Sequence, residues 1–129
     1  MDEDLGVRFA GALADKDASA LKALFRPGVD FKALTPGRSW EASDPEAVVD
    51  DIVLGMWFDP DDRITELIAV DTDTVGSRHR VAYRVAVSNA DGDHVVEQQA
   101  YFDVDQGQIS WMRVLCSGYQ PVGTRSEPR

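Results

Sequence analysis

The chain has one cysteine, Cys116, among its 129 residues, and only two histidines, His79 and His94. A single thiol excludes an internal disulfide and every metal site built from several cysteines. No apolar run approaches the roughly 20 residues of a membrane span. The start, Met1-Asp2-Glu3-Asp4, is acidic where a secretory signal is basic and then apolar. The expectation is a cytoplasmic protein with no membrane partner. Basic residues are in deficit, 13 against 23 acids, for a net charge of −10. A nucleic-acid partner is therefore not expected, since phosphate backbones would be repelled. Glycine-rich phosphate loops, the Gly-x-Ser-x-Gly nucleophile elbow, internal repeats and low-complexity stretches are all missing.

What remains is 43% hydrophobic, enough for one core of this size without staples. A single domain over residues 1–122 is expected. Residues 123–129 have no apolar pattern and read as a tail. The charge is uneven. Residues 1–62 carry 14 acids against 6 bases, and residues 63–129 carry 9 against 7.

The first half reads as helical. Leu5, Phe9, Ala12 and Leu13 recur at helical spacing. Asp17 suits the N-cap of a second short helix with Leu21, Leu24 and Phe25, stopped at Arg26-Pro27-Gly28. Residues 29–42 read as irregular, with a turn at Pro36-Gly37 and Trp40 as an apolar anchor. Ser43-Asp44-Pro45-Glu46 starts a third helix, with Val48, Val49, Ile52, Val53, Met56 and Trp57 on its apolar face. Asp59-Pro60 ends it.

From Ile64 the apolar period becomes two. Strands are expected over about 63–71, 75–89, 94–104 and 108–117. Asp91-Gly92 suits the centre of a type I′ hairpin. That register pairs Tyr83 with Ala100, Val85 with Gln98 and Arg80 with Asp103, and sorts an apolar face from a polar one. Asp105-Gln106-Gly107 suits a three-residue hairpin. It turns Ser110, Met112, Val114 and Cys116 inward and Trp111, Arg113 and Leu115 outward. Helices followed by an antiparallel meander make an α+β domain with the helices on one sheet face.

The segments Arg8-Phe9-Ala10-Gly11-Ala12-Leu13, Ala23-Leu24-Phe25, Val81-Ala82-Tyr83-Arg84-Val85, Tyr101-Phe102-Asp103-Val104 and Met112-Arg113-Val114-Leu115 carry a resemblance. Over residues 5 to about 120 the chain resembles the nuclear transport factor 2-like superfamily, in its SnoaL-like branch of polyketide cyclases and ketosteroid isomerases. The resemblance implies a cone-shaped, curved antiparallel (mixed) sheet wrapped around N-terminal helices, the cystatin-like arrangement. It also implies a pocket for a small apolar ligand and a dimer. Ketosteroid isomerases use a tyrosine, an aspartate base and a protonated aspartate. Carried over motif by motif, these positions fall at Phe9, Ala33 and Ala100, so all three polar groups are missing here. That argues against the isomerase chemistry.

Candidate chemistry gathers on the inward strand faces. Tyr83 could donate to a ligand carbonyl, and His79, on the same face, could act as a base. The ordinary alternative is a core tyrosine and a histidine at the strand's open end. Gln98 is an amide on an apolar face and must find partners, in a ligand or in a loop backbone. Phe9, Trp40, Val48, Ile52, Trp57, Phe102, Met112, Val114 and Cys116 are candidate walls. Cys116 reads as a small hydrophobe more readily than as a nucleophile. Asp50 and Asp51 read as a solvated helix face. His94 and Glu97 lie three apart and point to opposite faces of a strand. Asp59, Asp61 and Asp62 lack the glycine and glutamate of a calcium loop. Neither a metal nor a cofactor is expected.

Two functions fit. One is a SnoaL-like protein that binds a small apolar, oxygen-bearing ligand, with cofactor-independent isomerisation, cyclisation or hydration open to it. The other is a non-catalytic binding or assembly module with a filled pocket. A homodimer is expected through the outer sheet face, where Arg84, Tyr101, Trp111 and Leu115 lie.

Overall fold

The computed structural model describes residues 4–122. The tail expected over 123–129 lies outside the described residues. Helices α1 (Leu5–Ala14) and α2 (Ala18–Ala23) open the chain. Their first turns are capped as short helices require. The Asp4 carboxylate accepts from the Gly6 amide, and the Asp17 carboxylate accepts from the Ala20 amide. Phe9, Ala10 and Leu13 form the buried stripe of α1.

The strands are β1 (Phe25–Thr35), β2 (Arg38–Ala42), β3 (Arg63–Val75), β4 (Arg78–Asn89), β5 (Gly92–Asp105), β6 (Gln108–Cys116) and β7 (Gln120–Pro121). They form one curved sheet in the order β2-β1-β6-β5-β4-β3, with β7 also paired to β5. Among the described residues β1 and β6 pair in parallel and the other pairs are antiparallel.

Four expectations need correction. Residues 29–42 are not irregular: they form the β1–β2 hairpin, turning at Pro36-Gly37. Val29, Phe31 and Ala33 are buried there, alternating with exposed Asp30, Lys32 and Leu34. That period of two is masked in the sequence by Pro27, Gly28 and the charges.

The β4–β5 register is shifted by two residues. The turn residues are Ala90 and Asp91, so Tyr83 faces Gln98 and Val85 faces Val96. Asn89 accepts the Asp91 amide in an Asx turn, and Gly92 takes φ +115° where the chain re-enters the sheet. Neither Ala90 nor Asp91 has the positive φ that a type I′ turn needs. A two-residue slip leaves every side chain on its own face, so face sorting could not detect it. It does change the ion pairs. Arg80 meets Asp71, and Arg78 takes Asp103 through two parallel bonds of 3.0 Å.

The β5–β6 turn has two residues, Gln106 and Gly107, both with positive φ. A bulge beside Val104 leaves Ser110 unpaired and turns Ile109 into the core. Beyond it Met112 and Val114 face inward, while Trp111, Arg113 and Leu115 face outward, as the sequence suggests.

The third helix, α3 (Ala47–Trp57), is wound as a π-helix, and its end is marked by the Phe58 amide bonded to the Val53 carbonyl. Asp44 caps its start by accepting from the Ala47 amide. The wider turn buries Val48, Val49, Ile52, Val53 and Trp57 but leaves Met56 52% exposed, against expectation. Asp50 and Asp51 are exposed, and Asp50 pairs with Lys22 of α2 at 2.7 Å.

Gly55 marks where the π turn is tight. A Cβ placed there would lie 2.2 Å from the Asp50 carbonyl oxygen. In an α-helix, Gly→Ala stabilises by about 1 kcal/mol. In this turn the sign reverses. Gly55→Ala is expected to destabilise by about 1 kcal/mol or more in urea unfolding. An equally or more stable variant would refute the tight turn.

Candidate functional site

One inward row crosses the sheet from β4 to β6: Tyr83 opposite Gln98, and Gln98 opposite Cys116. The Tyr83 hydroxyl donates to Gln98 Oε1 at 2.5 Å. Both side chains are buried, at 2% and 1% exposure. Gln98 Nε2 has no hydrogen-bond partner among the described residues. Burial holds the Tyr83 phenol well above its ordinary value, with the nearby Cys116 thiol adding to the shift. This tyrosine keeps its proton and gives it to Gln98.

After Cys116 the chain leaves the ladder for three residues before β7 rejoins β5. Ser117 secures the break on both sides: its amide donates to the Glu97 carbonyl and its hydroxyl accepts from the Glu97 amide. The Gly118 amide donates to Cys116 Sγ at 3.3 Å. Tyr119 crosses toward α3, donates its hydroxyl to the Trp57 carbonyl and packs on the Phe58 ring. Burial foremost, then Asp62, pushes the Tyr119 phenol up.

Between this strap, the end of α3 and the β1–β2 turn lies a cavity of about 400 Å³. Its walls include Trp40, Trp57, Phe58, Val96, Gln98, Cys116 and Tyr119. The two tryptophans meet edge to face with centroids 6.2 Å apart. Trp40 Nε1 is spent on Thr35 Oγ1 at 2.8 Å. Trp57 Nε1, like Gln98 Nε2, is buried with no partner. Two residues that line one largely apolar space, Trp57 and Gln98, therefore each hold an unpartnered buried donor.

Of the candidate residues, Trp40, Trp57, Gln98 and Cys116 come together here. Tyr83 stands behind Gln98 and packs on Phe9 with centroids 5.8 Å apart. Phe9, Val48, Ile52, Phe102 and Met112 are core residues and do not line the cavity. Val114 is also buried and borders a separate groove beside Leu34 and Leu115. His79 stacks on Phe102 at 5.1 Å and does not line the cavity. Tyr119 was not singled out from sequence. The available signal was an aromatic residue following Cys116-Ser117-Gly118 in an otherwise polar end.

Elsewhere, Asp59, Asp61 and Asp62 lie around a turn clasped by Lys16, whose ammonium donates to the Asp59 and Asp62 carbonyls. Among the described residues no cluster of three or more histidine, cysteine or acidic side chains is gathered that could hold a metal ion. No helix among them is long and apolar enough to cross a membrane.

No family model matches the sequence, and no curated protein matches it. Solved structures do. A protein described as an isomerase from Rhodopseudomonas palustris superposes with TM-score 0.69 at 15% identity, covering 92% of this chain and 93% of that one. A protein described as a polyketide cyclase from Xanthomonas campestris pv. campestris gives 0.66 at 20%, covering 86% of each. A nuclear transport factor 2-like protein from Burkholderia thailandensis gives 0.64 at 17%, covering 88% of each. The chain has the nuclear transport factor 2-like fold. Gln98 and Cys116 of the inward row and Trp57 at the end of α3 thus border one cavity.

Two phenols, the buried Tyr83 and the half-buried Tyr119, set an alkaline limit. A phenol whose value in the fold lies above its ordinary 10.0 ionises more readily in the unfolded chain. Its contribution is whole below about pH 10 and is lost as pH rises. Tyrosinate absorbance from Tyr83 and Tyr119 is therefore expected to appear together with loss of far-ultraviolet dichroism. Ionisation of all three tyrosines with the fold intact would contradict it.

Proposed function

We propose that this protein binds a small, apolar, oxygen-bearing molecule in the cavity between the Ser117–Tyr119 break and the end of α3. The observation that carries this reading is the pair of buried, unpartnered donors, Trp57 Nε1 and Gln98 Nε2, on its wall. An unmet buried donor costs about 1–3 kcal/mol, which an acceptor oxygen on a ligand removes. The volume suits a ligand of drug size or smaller. Among the structural neighbours one is described as an isomerase and one as a polyketide cyclase, which supports a ligand of the same class here. The cavity offers hydrogen bonds and aromatic walls but no carboxylate or imidazole. Binding is thus the function supported, and His79 and Tyr83 are assigned no proton transfer.

Prodan, a neutral naphthyl ketone whose emission reports on its surroundings, tests this directly. Titration should quench tryptophan fluorescence and saturate at one equivalent per chain. Gln98→Met should weaken binding by about tenfold, the equivalent of 1.4 kcal/mol. Absence of saturable binding would favour the filled assembly module instead.

The same reading includes a second copy of the chain on the outer sheet face. Leu34 and Leu115 are direct neighbours in the β1–β6 register, and Leu115 is 60% exposed with Tyr101 nearby. The arginines around them are already matched within the chain, Arg84 to Glu97 and Arg113 to Asp30, and Trp111 lies between Arg78 and Arg113. Matched charges and a continuous apolar strip suit a self-complementary contact. Sedimentation at micromolar concentration should show a dimer that Leu115→Glu dissociates without unfolding. A monomer at every concentration would exclude it.

A further inference from the structure

Resting on the binding reading above, we propose that the cavity selects ketones and other proton-free carbonyl compounds over the matching alcohols, and that Tyr83 sets this preference by fixing which end of the Gln98 amide is free.

The buried, unpartnered polar groups of the wall residues are of one kind. Indole nitrogen donates and never accepts, so Trp57 Nε1 can serve only an acceptor. A glutamine amide carries both functions, but Gln98 Oε1 receives the Tyr83 hydroxyl at 2.5 Å, which leaves Nε2 as the free end. Gln120, an exposed side chain at the edge, donates Nε2 to the Ser117 carbonyl and keeps Oε1 as an acceptor without a partner among the described residues; the deeper acceptors each already hold one donor. Thr35 Oγ1 takes the Trp40 indole, Cys116 Sγ takes the Gly118 amide and Ser117 Oγ takes the Glu97 amide. The Tyr119 hydroxyl donates its proton to the Trp57 carbonyl.

No charged side chain lines the space. A carboxylate ligand would enter without a counter-ion, into a protein of net charge −10. An ammonium would find no carboxylate. The ligand is therefore uncharged. An alcohol brings the same oxygen lone pairs as a ketone, but it also brings a hydroxyl proton that needs an acceptor. Beside the buried donors that proton loses its water partners and meets only acceptors that already hold a donor, since Gln120 Oε1 stands at the exposed edge. A carbonyl oxygen has two lone pairs and no proton.

Tyr83 is a positioning residue in this scheme. It sits behind Gln98, packed on Phe9, and does not line the cavity. Without its hydroxyl the amide is free to turn, and either end can face a ligand.

The test compares prodan with the secondary alcohol made by reducing its carbonyl, both titrated against the intact protein. The ketone should bind at least about tenfold more tightly, with a red-shifted emission from hydrogen bonding at its carbonyl. In Tyr83→Phe the ketone-to-alcohol ratio should fall to within about threefold, through a gain by the alcohol. Dichroism and thermal melting check that this variant is folded. Trp57→Phe provides an independent arm and should weaken the ketone while leaving the alcohol nearly unchanged. Equal binding of the two compounds by the unaltered protein would overturn the selectivity and leave the binding reading standing. A Tyr83→Phe protein with weaker binding but an unchanged ratio would overturn the positioning role. Failure of both compounds to bind would overturn the binding reading and the selectivity together.

Discussion

The pairing register of β4 with β5 is the constraint on which the site depends. It is set by four residues, Asn89 to Gly92: an Asx bond, two residues in the turn and one glycine with positive φ. A one-residue slip in the pairing would set the apolar face of one strand against the polar face of the other. Moving the turn by one position, to Asp91-Gly92, slips the pairing by two residues: it would keep the faces but place Tyr83 opposite Ala100 and Gln98 opposite Val85. The Tyr83–Gln98 hydrogen bond would then be lost, and two buried polar side chains would need other partners. A few local interactions at the hairpin tip thus determine which groups meet deep in the core.

The opposite wall depends on a different irregularity. An α-helical turn brings residues three and four apart onto one face. The π winding of α3 instead brings residues five apart together, and Val48 with Val53 and Ile52 with Trp57 are all buried. Trp57 lies at the last position, where the wide turn ends at the Phe58 amide. Its ring packs among Phe31 and Trp40, while its carbonyl receives the Tyr119 hydroxyl. Irregular winding in the helix and a break in the strand therefore meet at the same place. Both kinds of departure from ideal geometry are frequent where proteins bind ligands.

Much of this fold was legible in the sequence because its signals are local. The caps at Asp17 and Asp44 have their expected bonds, and the inward sets Val81-Tyr83-Val85 and Met112-Val114 are buried. The β1–β2 hairpin was not legible, because its alternation is short and opens on Pro27-Gly28. Its parallel partner, β6, is about 80 residues away, and no local pattern reports so distant a pairing. For the site, Trp40, Trp57, Gln98 and Cys116 were all named from their chemistry. Their convergence required the two-residue register shift, the π turn and the strand break, none of which leaves a periodic trace. Tyr119 was missed for the same reason, as it lies where the strand pattern stops.

The positions implied by the resemblance to ketosteroid isomerases explain why the cavity lies where it does. Phe9, Ala33 and Ala100 are all buried and apolar. Phe9 meets Phe25 edge to face at 6.0 Å and Tyr83 at 5.8 Å, so aromatic rings fill the middle of the cone. An isolated carboxyl placed among them would pay a desolvation cost with no partner to offset it. With the centre packed, the space bordered by Gln98 and Trp57 lies where regular structure gives way, at the rim between the strand break and the end of α3. The unpartnered buried groups of the residues there are amide and indole N–H donors. The centre's apolar packing thus agrees both with the absence of acid–base groups at these positions and with the proposed site, which offers hydrogen-bond donors to an uncharged oxygen.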